Sequence, residues 1–104
     1  MTVKGVLLDN YDGKPVVVTT AHRGVFFGFL KGKVAKEVLV IEEARNCLYF
    51  SKDVKGFLGL AETGPTEGCR VGPKAPEMTL YDITSVTLCT ETAVKAWESA
   101  PWSE

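Results

Sequence analysis

Histidine is almost missing from this chain: His22 is the only one in 104 residues. Cysteine is scarce and dispersed, at Cys47, Cys69 and Cys89, with no C-x-x-C pair. A structural zinc site needs clustered Cys and His, so no metal or other cofactor is expected. An odd number of thiols spread this far apart is no disulfide framework either, and it points to reduced cysteines in a cytosol. No segment approaches the ~18 consecutive apolar residues that a membrane-spanning helix requires. The first residues, Met-Thr-Val-Lys-Gly-Val-Leu-Leu-Asp, hold only a short apolar run without a cleavage pattern, so no secretory leader is expected. An excess of one charge is also lacking. Twelve basic and 13 acidic side chains leave a net charge of −1, which removes the usual electrostatic case for duplex DNA or an acidic membrane surface.

What remains is an ordinary globular composition, 45% hydrophobic and 24% charged, enough for a single domain over 1–104 with one modest core. Most of it reads as short strands. Thr2–Leu8 is the first, closed by the turn-rich Asp9-Asn10-Tyr11-Asp12-Gly13. Pro15 then leads into the β-branched run Val16-Val17-Val18-Thr19-Thr20. After Ala21-His22-Arg23-Gly24, the strand Val25–Leu30 places Phe26, Gly28 and Leu30 on one face and Val25, Phe27 and Phe29 on the other. Both faces are apolar. A sheet rolled on itself covers one of them, and a C-terminal helix or a neighbouring subunit must cover the other. Phe27 or Phe29 is therefore expected in a subunit contact, and a homo-oligomer follows.

Lys31-Gly32-Lys33 reads as a basic turn, Glu37–Glu42 and Asn46–Ser51 as two further strands, and Lys52–Lys55 as an exposed turn. Next comes Gly56–Pro73, with five of the ten glycines and two of the five prolines. Phe57, Gly59 and Ala61 share one face if this stretch begins as a strand. Pro73–Pro76 is a stiff connection before short strands at Met78–Tyr81 and Thr84–Cys89. One helix is expected, around 91–99, with Thr90 as N-cap, Ala93, Ala96, Trp97 and Ala100 at helical spacing, and Pro101 as its stop. The fold class is then all-β: a small bent barrel or rolled sandwich of about seven or eight strands with one short C-terminal helix.

The glycine-rich stretch is the candidate site. Thr63-Gly64-Pro65-Thr66-Glu67-Gly68 offers close backbone approach and two hydroxyls, the elements of a cradle for an anion. Arginine supplies only three of the twelve basic side chains, at Arg23, Arg45 and Arg70, and its planar fork suits phosphate. Tyr49 is placed to stack a base. The expected site is thus Arg23, Arg45, Tyr49, Thr63, Gly64, Thr66, Gly68 and Arg70; the bland alternative pairs each arginine with a nearby acid such as Glu42, Glu43 or Glu67. No nucleophile, base and stabiliser come together in the sequence, so a non-enzymatic protein is expected.

Two resemblances bear on this reading. Lys14–Thr19, Arg23-Gly24-Val25-Phe26-Phe27-Gly28-Phe29-Leu30 and Val38–Arg45 follow one another as in the first half of an Sm-like small β-barrel. That likeness implies a strongly bent small barrel and, as an alternative function, an oligomeric ring binding RNA or protein. Arg23–Gly28, Ala44-Arg45-Asn46-Cys47, Gly59-Leu60-Ala61, Gly64-Pro65 and Cys69-Arg70-Val71-Gly72 together resemble small uncharacterised proteins of bacteriophages and prophages. That likeness implies a context, the capture of a nucleotide signal of host defence, and assigns no residue a role. The function expected is a binding module that captures a small anionic ligand of the nucleotide type, with a structural phage component as a further alternative.

Overall fold

The computed structural model describes residues 12–21, 24–35, 37–49 and 56–101. The expected first strand at Thr2–Leu8, and His22 and Arg23, lie outside them. Strands β1 (Pro15–Thr20), β2 (Val25–Ala35) and β3 (Val38–Tyr49) form an antiparallel meander. Helix α1 (Gly56–Glu62) follows, then β4 (Arg70–Val71), β5 (Ala75–Leu80), β6 (Ile83–Leu88) and helix α2 (Glu91–Ser99). The sheet runs β4-β3-β2-β1-β6, and β5 pairs with β3 along the half that β4 leaves free. The described residues form a small, mostly antiparallel six-stranded β structure with two helices.

Three expectations change. Lys31-Gly32-Lys33 is no turn, because β2 runs through it and pairs with Leu39 and Val40. The two strands expected at 37–42 and 46–51 are one continuous β3. And Gly56–Glu62 is helical rather than extended, so the described residues hold two helices.

β3 stays continuous by means of a bulge. Phe29 faces Glu42 and Phe27 faces Arg45, so β3 carries one residue more than β2 across this interval, with Glu43 at φ 52°. The extra residue changes the phase of the strand. Leu39, Ile41 and Ala44 point into one core, whereas Cys47 points into the other. Opposite the bulge sits Gly28, where a Cβ would lie 2.8 Å from Ile41 Cδ1 and 3.0 Å from Glu42 O. No side chain fits there, and the strands bend at that point.

Each face of the sheet is buried by a different device. The inner core, Val16, Val18, Leu30, Leu39, Ile41, Ala44 and Leu80, is enclosed by the rolled strands themselves. The other face, with Val17, Val25, Phe27, Cys47 and Val71, packs under Leu60 and Ala61 of α1 and Ala93 and Trp97 of α2. Trp97 stacks on Phe27 with ring centroids 5.0 Å apart, and Phe29 meets Phe27 edge-on at 5.7 Å. Phe27 is fully buried within the chain and Phe29 is half-buried against the same core, which removes the reason for placing either in a subunit contact. The second apolar face belongs to the helices.

The two helices are locked by α1's final carbonyls. Thr90 donates its N–H to Ala61 O and its hydroxyl to Glu62 O at 2.5 Å, and accepts the N–H of Ala93 as N-cap of α2. Trp97 Nε1 donates to Leu60 O at 3.0 Å. Groups that a seven-residue helix leaves unsatisfied at its C-terminus are thus met by α2.

Candidate functional site

The residues expected to form an anion cradle occupy three different environments. Arg45, on the helix-facing side of β3 because of the bulge, is 4% exposed. Its Nε donates to Gly72 O at 2.9 Å, and its Nη1 donates to Trp97 O at 2.6 Å and Ala100 O at 2.7 Å. Helix α2 has no basic residue in its last turn, and Arg45 supplies the cation from the sheet instead. Burial lowers the guanidinium's pKa from its ordinary value, but an arginine remains charged in a protein. It pairs with no acid among the described residues. Its bonds join the sheet, the Gly72 turn and the end of α2.

The loop itself faces α2. Gly64 has φ 80°, and a Cβ there would lie 2.5 Å from Ala96 Cβ and 2.9 Å from Ala93 O. The glycine lets the loop backbone approach a helix. Thr63 donates its N–H (2.8 Å) and its hydroxyl (3.1 Å) to Gly59 O. Residues Thr66–Cys69 form a β-turn closed by Cys69 N–H to Thr66 O, with the Thr66 N–H directed at Cys69 Sγ. Gly68 lies on its exposed side. The amides of Thr63, Thr66 and Cys69 are therefore engaged inside the loop.

Arg70 and Tyr49 are different. They are register partners across β3 and β4, both exposed, Tyr49 by 55%. Neither has a side-chain hydrogen bond or ion pair among the described residues; the ion pairs there are Lys31–Glu77 and Lys74–Glu43. The fold thus brings Tyr49 and Arg70 together at the surface and turns Arg45, Thr63 and Gly64 inward. Arg23 lies outside the described residues.

Sequence reasoning missed a second surface, at the sheet's rim. β6 pairs only with β1, and β5 only with β3, so each keeps an open outer edge among the described residues. Beside the β6 edge, Leu58, Ala61 and Glu62 of α1 with Thr87, Leu88 and Thr90 line a shallow groove of about 270 Å³. Leu58 is 61% exposed and Leu88 40%. The signal was present in the i, i+3, i+4 spacing of Phe57, Leu60 and Ala61, which leaves Leu58 on the outer side of a helix. All three thiols are free; burial pushes Cys47 up to about 11 and Cys89 up to about 12. Such thiols are poor nucleophiles at neutral pH. Among the described residues no group of three or more His, Cys, Asp or Glu could hold a metal, and no helix is long and apolar enough to cross a membrane.

Residues 13–97 match a family described as a domain of unknown function, DUF6948. The chain belongs to this family. A search of curated proteins finds no match. Among solved structures the chain is similar to a heptameric archaeal Sm protein, with a TM-score of 0.55 and 16% identity. The similarity covers 83% of this chain and 100% of the Sm protein. At that identity the likeness is one of fold: the described residues of this DUF6948 chain form an Sm-like bent β-sheet with two helices packed on one face.

Proposed function

We propose that this DUF6948 protein is a non-enzymatic binding module that works as a homo-oligomer, its subunits joined edge to edge. The observation that carries this reading is the pair of edges left open among the described residues, β5 at one end of the sheet and β6 at the other. An edge strand presents unpaired N–H and C=O groups, and natural monomers cover such rows. Two different edges on one subunit make a head-to-tail contact, which closes into a ring when the rotation per subunit allows. The similar archaeal Sm protein is a heptamer. On β6, Cys89 N–H bonds Pro15 O in register with the Val16–Leu88 pair. Because donors alternate along an antiparallel ladder, the Val86 and Leu88 amides point away from β1.

The ligand reading rests on a separate observation: Arg70 is exposed, has no acid partner among the described residues, and lies opposite an exposed Tyr49. A guanidinium and a ring together suit a phosphate-bearing base, a ligand of the nucleotide type. An oligomer repeats that pair once per subunit, so several such contacts act on one strand or cluster of ligands.

Light scattering on the purified protein tests the assembly. The expected mass is a multiple of 11.3 kDa. Val86→Pro, which removes an outward N–H, should give the 11.3 kDa monomer with its circular dichroism intact, and Val86→Ala, which keeps the N–H, should remain assembled. A wild type that is monomeric at 100 μM would overturn the reading.

A further inference from the structure

Resting on the edge-to-edge reading above, we infer that the groove beside β6 is the socket for the Pro73–Pro76 segment of a second copy of this chain. Lys74 of that copy then pairs with Glu62.

The inference starts from where the two edges begin and end. Every ladder in the sheet is antiparallel. An antiparallel strand laid along the β6 edge has its last residues near Ile83 and its first residues near Leu88. Pro76 lacks an N–H, so a continuous ladder on β5 begins after it, at Glu77. The Ile83 N–H is already held by Glu37 O at 3.1 Å, so three residues, Glu77–Thr79, then lie along Thr84–Val86. Beyond the ladder, Pro76, Ala75, Lys74 and Pro73 of the second copy run past Leu88 and over the groove.

The two surfaces match in character. The groove has an apolar side, Leu58, Ala61 and Leu88, and one charge, Glu62. The segment has two exposed prolines and one charge of the opposite sign, Lys74. Glu62 has no cationic partner among the described residues. Among the described residues Lys74 pairs with Glu43, at 3.5 Å, with both side chains well exposed. Such a contact is easily exchanged for another carboxylate. Leu58, 61% exposed on a helix whose other side is core, acquires a reason for its place: it covers proline rather than water.

Charge reversal tests the pairing in the full chain, with oligomer dissociation followed by sedimentation at falling concentration and folding followed by circular dichroism. Glu62→Lys and Lys74→Glu should each raise the dissociation midpoint at least tenfold, and the double reversal should restore it to within threefold of wild type. Glu43→Gln, which removes only the partner within the same subunit, should leave assembly unchanged. Carbodiimide treatment of a mixture of ¹⁵N-labelled and unlabelled protein should give a Glu62–Lys74 cross-link of mixed isotope composition. An assembled wild type whose single reversals dissociate as wild type does, or whose double reversal stays weakened, would overturn the socket and leave edge pairing standing. A monomeric wild type would overturn both, and is distinguished by its mass alone.

Discussion

Replacing Arg45 with methionine keeps most of the side chain's length and removes its charge and donors. Three carbonyl oxygens, of Gly72, Trp97 and Ala100, lose their charge-assisted partner at once. A buried acceptor left unsatisfied costs about 1–3 kcal/mol. The Ala100 carbonyl lies at the half-buried end of α2 and regains water most easily, so the three do not add in full. The expected loss is about 3–5 kcal/mol, a large part of the ~5–15 kcal/mol that holds a domain of this kind together. Arg45→Lys should recover only a part of it, because an ammonium on a flexible stem lacks the fork that spans two elements. The assay is equilibrium unfolding in urea, read by far-ultraviolet circular dichroism and tryptophan fluorescence, with the m-value checked for constancy. A loss below about 1 kcal/mol for Arg45→Met would refute the account of α2 as a helix anchored from the sheet.

Other outcomes follow from the same geometry. Gly64→Ala should cost about 2–4 kcal/mol, from a left-handed backbone and a Cβ pressed on Ala96. Ala96→Gly in the same chain should return the contact part but not the backbone part, which a double-mutant cycle in urea would resolve; additive losses would refute the contact. Arg70→Ala should leave the unfolding free energy in urea within about 0.5 kcal/mol of wild type, since its side chain is exposed, and should weaken nucleotide binding by about 1.5–3 kcal/mol in titration calorimetry. A lowered midpoint with unchanged binding would assign Arg70 to the fold. For the thiols, native Cys47 and Cys89 keep their protons up to about 11 and 12, whereas the ordinary value is 9.0. Above pH 9 the unfolded chain gives up these protons first, so stability should fall as pH rises from 9 to 12 and be level below it. A stability that rises over that interval would contradict the burial.

Where the sequence was legible, one physical signal dominated. The run Val16–Thr20 and the alternation across Val25–Leu30 gave β1 and the start of β2, and Thr90 with Ala93, Ala96 and Trp97 gave α2. The demand of a doubly apolar strand for two covers also emerged, although the cover over Phe27 proved to be helices of the same chain. Gly56–Glu62 was misread because Phe57, Gly59 and Ala61 fit a two-residue period as well as Phe57, Leu60 and Ala61 fit a helical one. Glycine at 56 and 59 also argues against a helix by propensity. What decides it is tertiary: Thr90 and Trp97, some thirty residues away, satisfy its last carbonyls. Arg45 was misplaced for a related reason. The bulge at Glu43 puts a non-glycine residue at positive φ, which leaves no mark in composition, and it alone turns Arg45 from the inner core's side toward α2. The candidate cradle was read from glycine content, and Gly64 serves close packing against a helix, a use of glycine that sequence does not separate from ligand approach.

The central claim is assembly through two unlike edges. Native mass spectrometry across a concentration series from 1 to 100 μM tests it most directly. A head-to-tail contact that closes gives one stoichiometry, a single multiple of 11.3 kDa that stays fixed as concentration rises. The predicted spectrum has that one species over the upper part of the series. A spectrum of 11.3 kDa monomer throughout would contradict the account.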